Sequence, residues 1–418
     1  MDIAIFIIYL ALCSFFLTRI RFIKIAGLRN RTVIALFLIK ITAGIGYAQF
    51  YKIPKYYQGS DTWRFFRLSV EETKWLKENP LAFIKDLFVF GYSKAGNVFS
   101  GENTYWNDLK SNVPIKLLAL MNLITNNNYY TNLILFNFIF FFGLIALFKV
   151  FNDLFPGKKL NIIIGLFLLP STLFWCSGIH KDGLILSATG ILIYIIYFSL
   201  KNTFKVKYIA PLLISAVLIF SLRNYVLFAL IIGIFCWVHV EKNNRKPLKT
   251  FGFIYLIGVI IFFTIPLLVP ALNFPAYLAN KQMEFLKLEA GSIAINSSLQ
   301  PSLSSFVSFF PAAIDMAFLR PHPNEMRNLS YLPAAAEVIL LFALILFCLV
   351  QAYRNRANYN KAFLIFCLFF AFSILLICGY TIPFTGAIVR YRSFSFPFLI
   401  TPLLCSVNTR TKLNSNFL

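Results

Sequence analysis

Runs of about 15–22 apolar residues recur along the chain, separated by short basic stretches, and this pattern limits the fold more than any other feature. A membrane-crossing helix needs about 20 apolar residues, whereas soluble domains carry about 25% charged residues. Here 13% of the 418 residues are charged, 59% are hydrophobic and Phe occurs 49 times. The expected fold is therefore an all-α polytopic membrane protein, with residues 1–418 forming a single integral membrane domain. Disorder, a coiled coil and a secreted disulfide scaffold are excluded as readings of the whole chain. The seven cysteines lie in or beside apolar segments, with no CxxC pair, and read as small core hydrophobes. The N-terminal apolar run is followed, not preceded, by its positive charges, so it reads as a retained helix.

Eleven spans are expected, near residues 2–18, 33–50, 129–148, 160–176, 183–200, 208–222, 225–240, 250–270, 333–352, 362–379 and 393–407. The net charge is 39 − 16 = +23. In a membrane protein such an excess points to cytoplasmic loops and anionic lipid before nucleic acid. The basic residues sit after every second span. Examples are Arg19, Arg21 and Lys24 after the first, Lys242, Arg245 and Lys246 after the seventh, Arg354, Arg356 and Lys361 after the ninth, and Arg410 and Lys412 after the last. That alternation places the N-terminus outside and the C-terminus in the cytoplasm. The opposite, outer side then carries two long loops, about 51–128 and 271–332, which hold eleven of the 16 acidic residues. Irregular backbone does not sit in lipid, so these loops are expected to form surface helices such as the amphipathic stretch 75–88.

Three outer-side groups are chemically unusual. Asp61 follows a Gly59-Ser60 turn at the membrane edge. An outer-face carboxylate there suits a general base or a divalent-cation ligand, and Ser60 or Asp61 equally suits a helix N-cap. His180, Lys181 and Asp182 lie in a short connection beside Trp175. Ionisable residues at such depth usually face a polar cavity. Lys181 suits a phosphate contact and His180 acid–base work, against the plainer reading of a turn whose Asp182 caps the next span. Arg223, Arg320, Arg390 and Arg392 run against the positive-inside tendency, and a guanidinium matches phosphate oxygens bidentately. Asp315 and Glu337 are secondary candidates; Glu337 sits one turn inside the ninth span and needs a partner. His239 and His322 read as structural. HExxH, GxGxxG and Walker A patterns are absent, so ATP and nicotinamide cofactors have no support.

These motifs together resemble the GT-C superfamily of membrane glycosyltransferases. Gly59-Ser60-Asp61 followed by Phe65-Phe66 is similar to that superfamily's acidic first-loop signature. Pro170-Ser171, Phe174-Trp175, Ser177 and Asp182 look like its later loop, and Arg390-Tyr391-Arg392 with Pro397 resembles its C-terminal core. The resemblance implies transfer of a sugar from a polyprenyl-phosphate donor to a glycan, lipid or protein acceptor on the outer face of a bacterial inner membrane, inversion at the anomeric carbon, and a divalent cation (Mg or Mn) as an optional partner. It implies catalytic roles for Asp61, His180 and Asp182, and donor-phosphate contacts for Lys181, Arg223, Arg390 and Arg392. The sequence also resembles O-antigen and exopolysaccharide polymerases, chiefly through Arg223, Arg390 and Arg392. A lipid-glycan transporter is the third class, which would favour midplane charges and mirrored halves.

Overall fold

The structure is a computed structural model that describes residues 3–57, 59–89, 104–288, 298–322, 325, 332–354 and 360–406. Glu102, Glu289, Arg356, Arg410 and Lys412 lie outside the described residues. Among those described there are helices and no strands. Six helices are long and apolar enough to cross a membrane: Asn30–Phe50, Tyr129–Leu154, Lys181–Lys201, Val206–Asn243, Pro247–Leu268 and Lys361–Thr381. Ile3–Arg19, Leu303–Leu319, Leu332–Cys348 and Phe396–Ser406 are shorter apolar helices.

The chain forms two compact units. The first holds the described residues up to Asn224, apart from Thr104. It contains α1 (Ile3–Arg19), α2 (Arg21–Lys24), α3 (Asn30–Phe50), α4 (Pro54–Tyr57), α5 (Asp61–Glu78), α6 (Pro80–Lys85), α7 (Tyr105–Thr125), α8 (Tyr129–Leu154), α9 (Lys159–Phe167), α10 (Pro170–Trp175), α11 (Lys181–Lys201) and the first arm of α12 (Ile209–Asn243). Its axis is α8, whose apolar window is 72% buried. Asn128 starts α8 by accepting hydrogen bonds from the backbone N–H groups of Tyr130 and Thr131. α8 packs chiefly against α11. Gly143 and Gly190 let the two backbones approach: a Cβ on Gly143 would lie 2.2 Å from Ser187 Cα, and one on Gly190 would lie 2.3 Å from the Gly143 carbonyl oxygen. α5 and α7 form a second packed pair, with α5 amphipathic.

The second unit contains the rest of α12, then α13 (Pro247–Leu268), α14 (Phe274–Leu286), α15 (Leu303–Ile314), a π-turn at Asp315–Leu319, α16 (Leu332–Arg354), α17 (Lys361–Thr381), α18 (Thr385–Ser393) and α19 (Phe396–Ser406). α17 is its centre and meets α13, α14, α15, α18 and α19. Trp237 stacks on Phe366, 5.2 Å between centroids, and Gln282 joins the Tyr380 carbonyl to the Leu299 N–H.

One expected span differs in form. Residues 160–176 are broken into α9 and α10, because Leu169 precedes Pro170 and is extended (φ −63°, ψ 122°). A residue before proline is disfavoured in the helical region, and Pro170 then suits the first position of a new helix. Residues 208–222 and 225–240 lie in the two arms of α12, which meet across a kink at Arg223 (φ −151°, ψ 86°), close to the expected boundary between these spans. The surface stretch 75–88 likewise divides at Asn79, whose side chain accepts from the Ala82 N–H and caps α6.

The α8–α11 crossing has a direct test. Gly143→Ala should lower the melting temperature of the detergent-purified protein, by overpacking worth about 1–3 kcal/mol. Melting at the wild-type temperature would show that the crossing has room for a methyl group.

Candidate functional site

Asp61 begins α5, and its helix is seated from two sides. Thr62 Oγ1 and the Tyr129 hydroxyl share a 2.6 Å hydrogen bond, Trp63 Nε1 donates to the Ala48 carbonyl, and the Trp63 ring stacks on Tyr129 at 4.0 Å. Ser60 does not cap this helix with its side chain. Ser60 occupies the N-cap position, and its hydroxyl donates back to the Tyr57 carbonyl. The Asp61 carboxylate faces His180, with Oδ2 3.0 Å from Nε2.

His180 closes an irregular segment between α10 and α11 that is held by groups the sequence reading passed over. Lys40, buried in α3, donates to the Cys176 carbonyl (2.6 Å) and Ser177 Oγ (3.0 Å). Asn137, buried in α8, donates to the Ser177 carbonyl (2.7 Å). These contacts satisfy backbone groups that would otherwise be stranded among apolar helices. The segment also lies tight against α3, for a Cβ on Gly178 would fall 2.1 Å from the Tyr47 ring. The signal for Lys40 was present in the sequence: it is the only charged residue within 33–50.

From this seat the site builds inward. His180, not Asp182, is the N-cap of α11, its Nδ1 accepting from the Asp182 N–H at 3.3 Å. Nδ1 also lies 2.8 Å from Asp182 Oδ2. Acceptance by Nδ1 from the Asp182 N–H goes with an Nε2–H that donates to Asp61, which is the neutral Nε2–H tautomer. The ring stacks over Phe65 at 6.1 Å and 18°. Asp182 Oδ1 pairs with Arg223 Nη2. The result is one line of groups, Asp61–His180–Asp182–Arg223. Its inner three side chains are 0%, 1% and 5% exposed, while Asp61 is 29% exposed. Lys181 is half-buried beside this line, its ammonium 5.8 Å from the Phe65 ring centre.

Arg223, expected to meet a substrate phosphate, is buried beside Asp182. The interruption of α12 carries it there. Residues expected to join this site from the C-terminal part belong to the second unit. Arg320 Nε donates to Asp315 Oδ2 (2.8 Å), and its Nη1 donates to Glu325 Oε1. His322, expected to be merely structural, has Nε2 2.9 Å from Asp315 Oδ1. Arg392 is fully buried and its Nη1 donates to the carbonyls of Ala317 (3.2 Å) and Arg320 (2.5 Å). Glu337 is buried on α16, and its charge acts on Arg392. Arg390 is half-buried, 5.7 Å from the Tyr391 ring centre.

Among the described residues, no group of three or more His, Cys, Asp or Glu side chains is placed to hold a metal ion. Around Asp61 the nearest such groups are committed to one another: His180 lies between two carboxylates, and Asp182 is turned to Arg223.

Two outcomes follow from the burial. Arg223→Met leaves Asp182 charged and buried, which costs about 3–5 kcal/mol, and adding Asp182→Asn should recover a large part of the loss in thermal melting. Equal destabilisation by both forms would deny the coupling. Lys40→Met should expose the 176–180 segment, read as faster maleimide labelling of Cys176, which is 1% exposed in the native fold. Labelling at the wild-type rate would show that Lys40 does not hold that segment.

Comparison with family models, curated proteins and solved structures gives no match to this chain.

Proposed function

We propose that the chain is a membrane glycosyltransferase that moves a sugar from a polyprenyl-phosphate donor to an acceptor hydroxyl. The observation that carries this reading is the part-exposed Asp61 carboxylate backed by a buried His180–Asp182–Arg223 line. A carboxylate that reaches solvent at one edge and is oriented from behind is placed to take a proton from an incoming hydroxyl. The acceptor oxygen attacks the anomeric carbon as its proton passes to Asp61. The bond from that carbon to the phosphate oxygen breaks, and the phosphate leaves with the electron pair. Attack opposite the leaving group inverts the anomeric centre. His180 fixes the carboxylate rotamer through Nε2, Asp182 fixes the ring, and Arg223 neutralises Asp182. Each of these three is a positioning residue.

Lys181, half-buried beside Phe65, is the cation best placed to meet the donor phosphate. The eleven-span topology, with Asp61 on the outer face of a bacterial inner membrane, belongs to this proposal and rests on the alternation of basic loops. The polymerase reading depends on arginines that meet a lipid diphosphate. Of Arg223, Arg390 and Arg392, on which it rests, Arg223 and Arg392 are engaged by a carboxylate and by carbonyls of the protein itself, which weighs against it.

Asp61→Asn should lower transfer by about 10²–10⁴-fold, the usual worth of a positioned base, with melting unchanged. The surface glycans of deletion cells carrying this variant should stop at one defined sugar. Undiminished transfer would remove Asp61 from the mechanism, and collapse of a glycan ladder to a single repeat would favour the polymerase.

A further inference from the structure

A cavity of about 320 Å³ opens between α5 and α7, lined by Leu68, Glu71, Glu72, Trp75, Asn112 and Ile115. Its composition is unlike a packing defect. One wall is an indole; the others offer two carboxylates and a carboxamide, all partly exposed. Glu72 is held in place. Its Oε2 accepts from Lys116 at 2.8 Å, and Lys116 lies 3.0 Å from Asp86 Oδ2 and 4.7 Å from the Trp75 ring centre. Glu72 Oε1 has no partner among the described residues. Lys116 and Asn122, which donates to Ser69 Oγ and Thr73 Oγ1, clamp α7 onto α5 and keep the walls at a fixed spacing. An aromatic plane beside acceptors that seek hydroxyl donors suits a polyhydroxylated ring with one apolar face, which is the chemistry of a glycosyl unit.

The position of this cavity relative to Asp61 follows from helix geometry. At about 100° per residue, positions 61, 65, 68, 72 and 75 fall within about 40° of the Asp61 direction. Asp61, Phe65, Leu68, Glu72 and Trp75 thus share one stripe of α5. At about 1.5 Å rise per residue, Glu72 lies about 17 Å and Trp75 about 21 Å along the axis from Asp61. Phe65, about 6 Å along, stacks over the His180 ring with 6.1 Å between centroids. One rigid helix therefore carries the reacting carboxylate at its start and a ring-binding cavity several glycosyl units further on.

We infer that the cavity is a distal subsite for the acceptor, and that the acceptor is an extended oligosaccharide rather than a free monosaccharide or a small lipid headgroup. This inference rests on the transferase reading for its direction of travel, while binding at the cavity is measurable without catalysis.

The test uses the full chain in nanodiscs and an oligosaccharide ladder, from disaccharide to octasaccharide, cut from the surface polysaccharide of the producing cells. Calorimetry should show the hexasaccharide binding at least about tenfold tighter than the disaccharide, the worth of one hydrogen bond to a charged group. Trp75→Ala should erase that length dependence. Asn112→Ala, on the facing helix and away from the Lys116 stack, should weaken hexasaccharide binding in the same direction and guards against a fold defect in the first variant. A hexasaccharide that binds both variants as it binds wild type overturns the subsite, as does the absence of any length dependence in wild type. Length-dependent binding by a protein that transfers no sugar would keep the subsite and sink the transferase. Transfer that is indifferent to acceptor length and to Trp75 would do the reverse.

Discussion

A carboxylate buried in an apolar bundle must be neutralised where it stands, and in this chain that demand falls on Asp182, whose side chain is 1% exposed. The cost of leaving such a charge alone exceeds most single packing contacts. Much of the first unit's irregularity can be traced to that need. α12 departs from helical geometry at Arg223, and the guanidinium pairs with Asp182 from there. His180 adopts an extended backbone (φ −156°, ψ 158°) that brings its ring over the same carboxylate. The extended segment exposes carbonyls that a helix would have satisfied, and Lys40 and Asn137 answer them from neighbouring helices. Asp61 stands at the end of this series, the one member with an edge open to solvent.

The buried arginines show how one residue type serves two ends. Arg223 meets a charge, whereas the Nη1 of Arg392 meets the backbone of the π-turn region through the Ala317 and Arg320 carbonyls. A guanidinium carries five donors in a fixed plane, so it can hold irregular backbone at several points at once. A π-turn lacks regular pairing at its ends and gains from such a holder.

Residue chemistry made part of this legible before any coordinates. Asp61, His180 and Asp182 stood out because ionisable groups are costly among so many apolar residues, and the structure brings those three together. The helical class and several long spans followed from run length alone. Partners of long sequence separation were less accessible. An arginine in a short connection reads equally as a phosphate contact or a counter-ion, and only the fold shows that Arg223 lies behind Asp182, 41 positions earlier in the chain (223 − 182). Hydropathy also cannot distinguish a straight span from α9 and α10, since both arms are apolar; there the informative residue was Pro170. Lys40 was visible as a lone charge in an apolar run and simply lacked a candidate partner nearby in sequence.

Lys40 has a consequence for how the chain is made. Its acceptors, Cys176 and Ser177, are 136 and 137 residues further on. At about 5–20 residues per second, synthesis takes roughly 7–27 s to reach Cys176 after Lys40 has left the ribosome. Through that interval α3 holds an ammonium with no acceptor of its own, at an insertion cost of about 2.5–3.5 kcal/mol near the centre of a membrane. The other, mostly apolar residues of α3 must offset that cost until the 176–180 segment arrives.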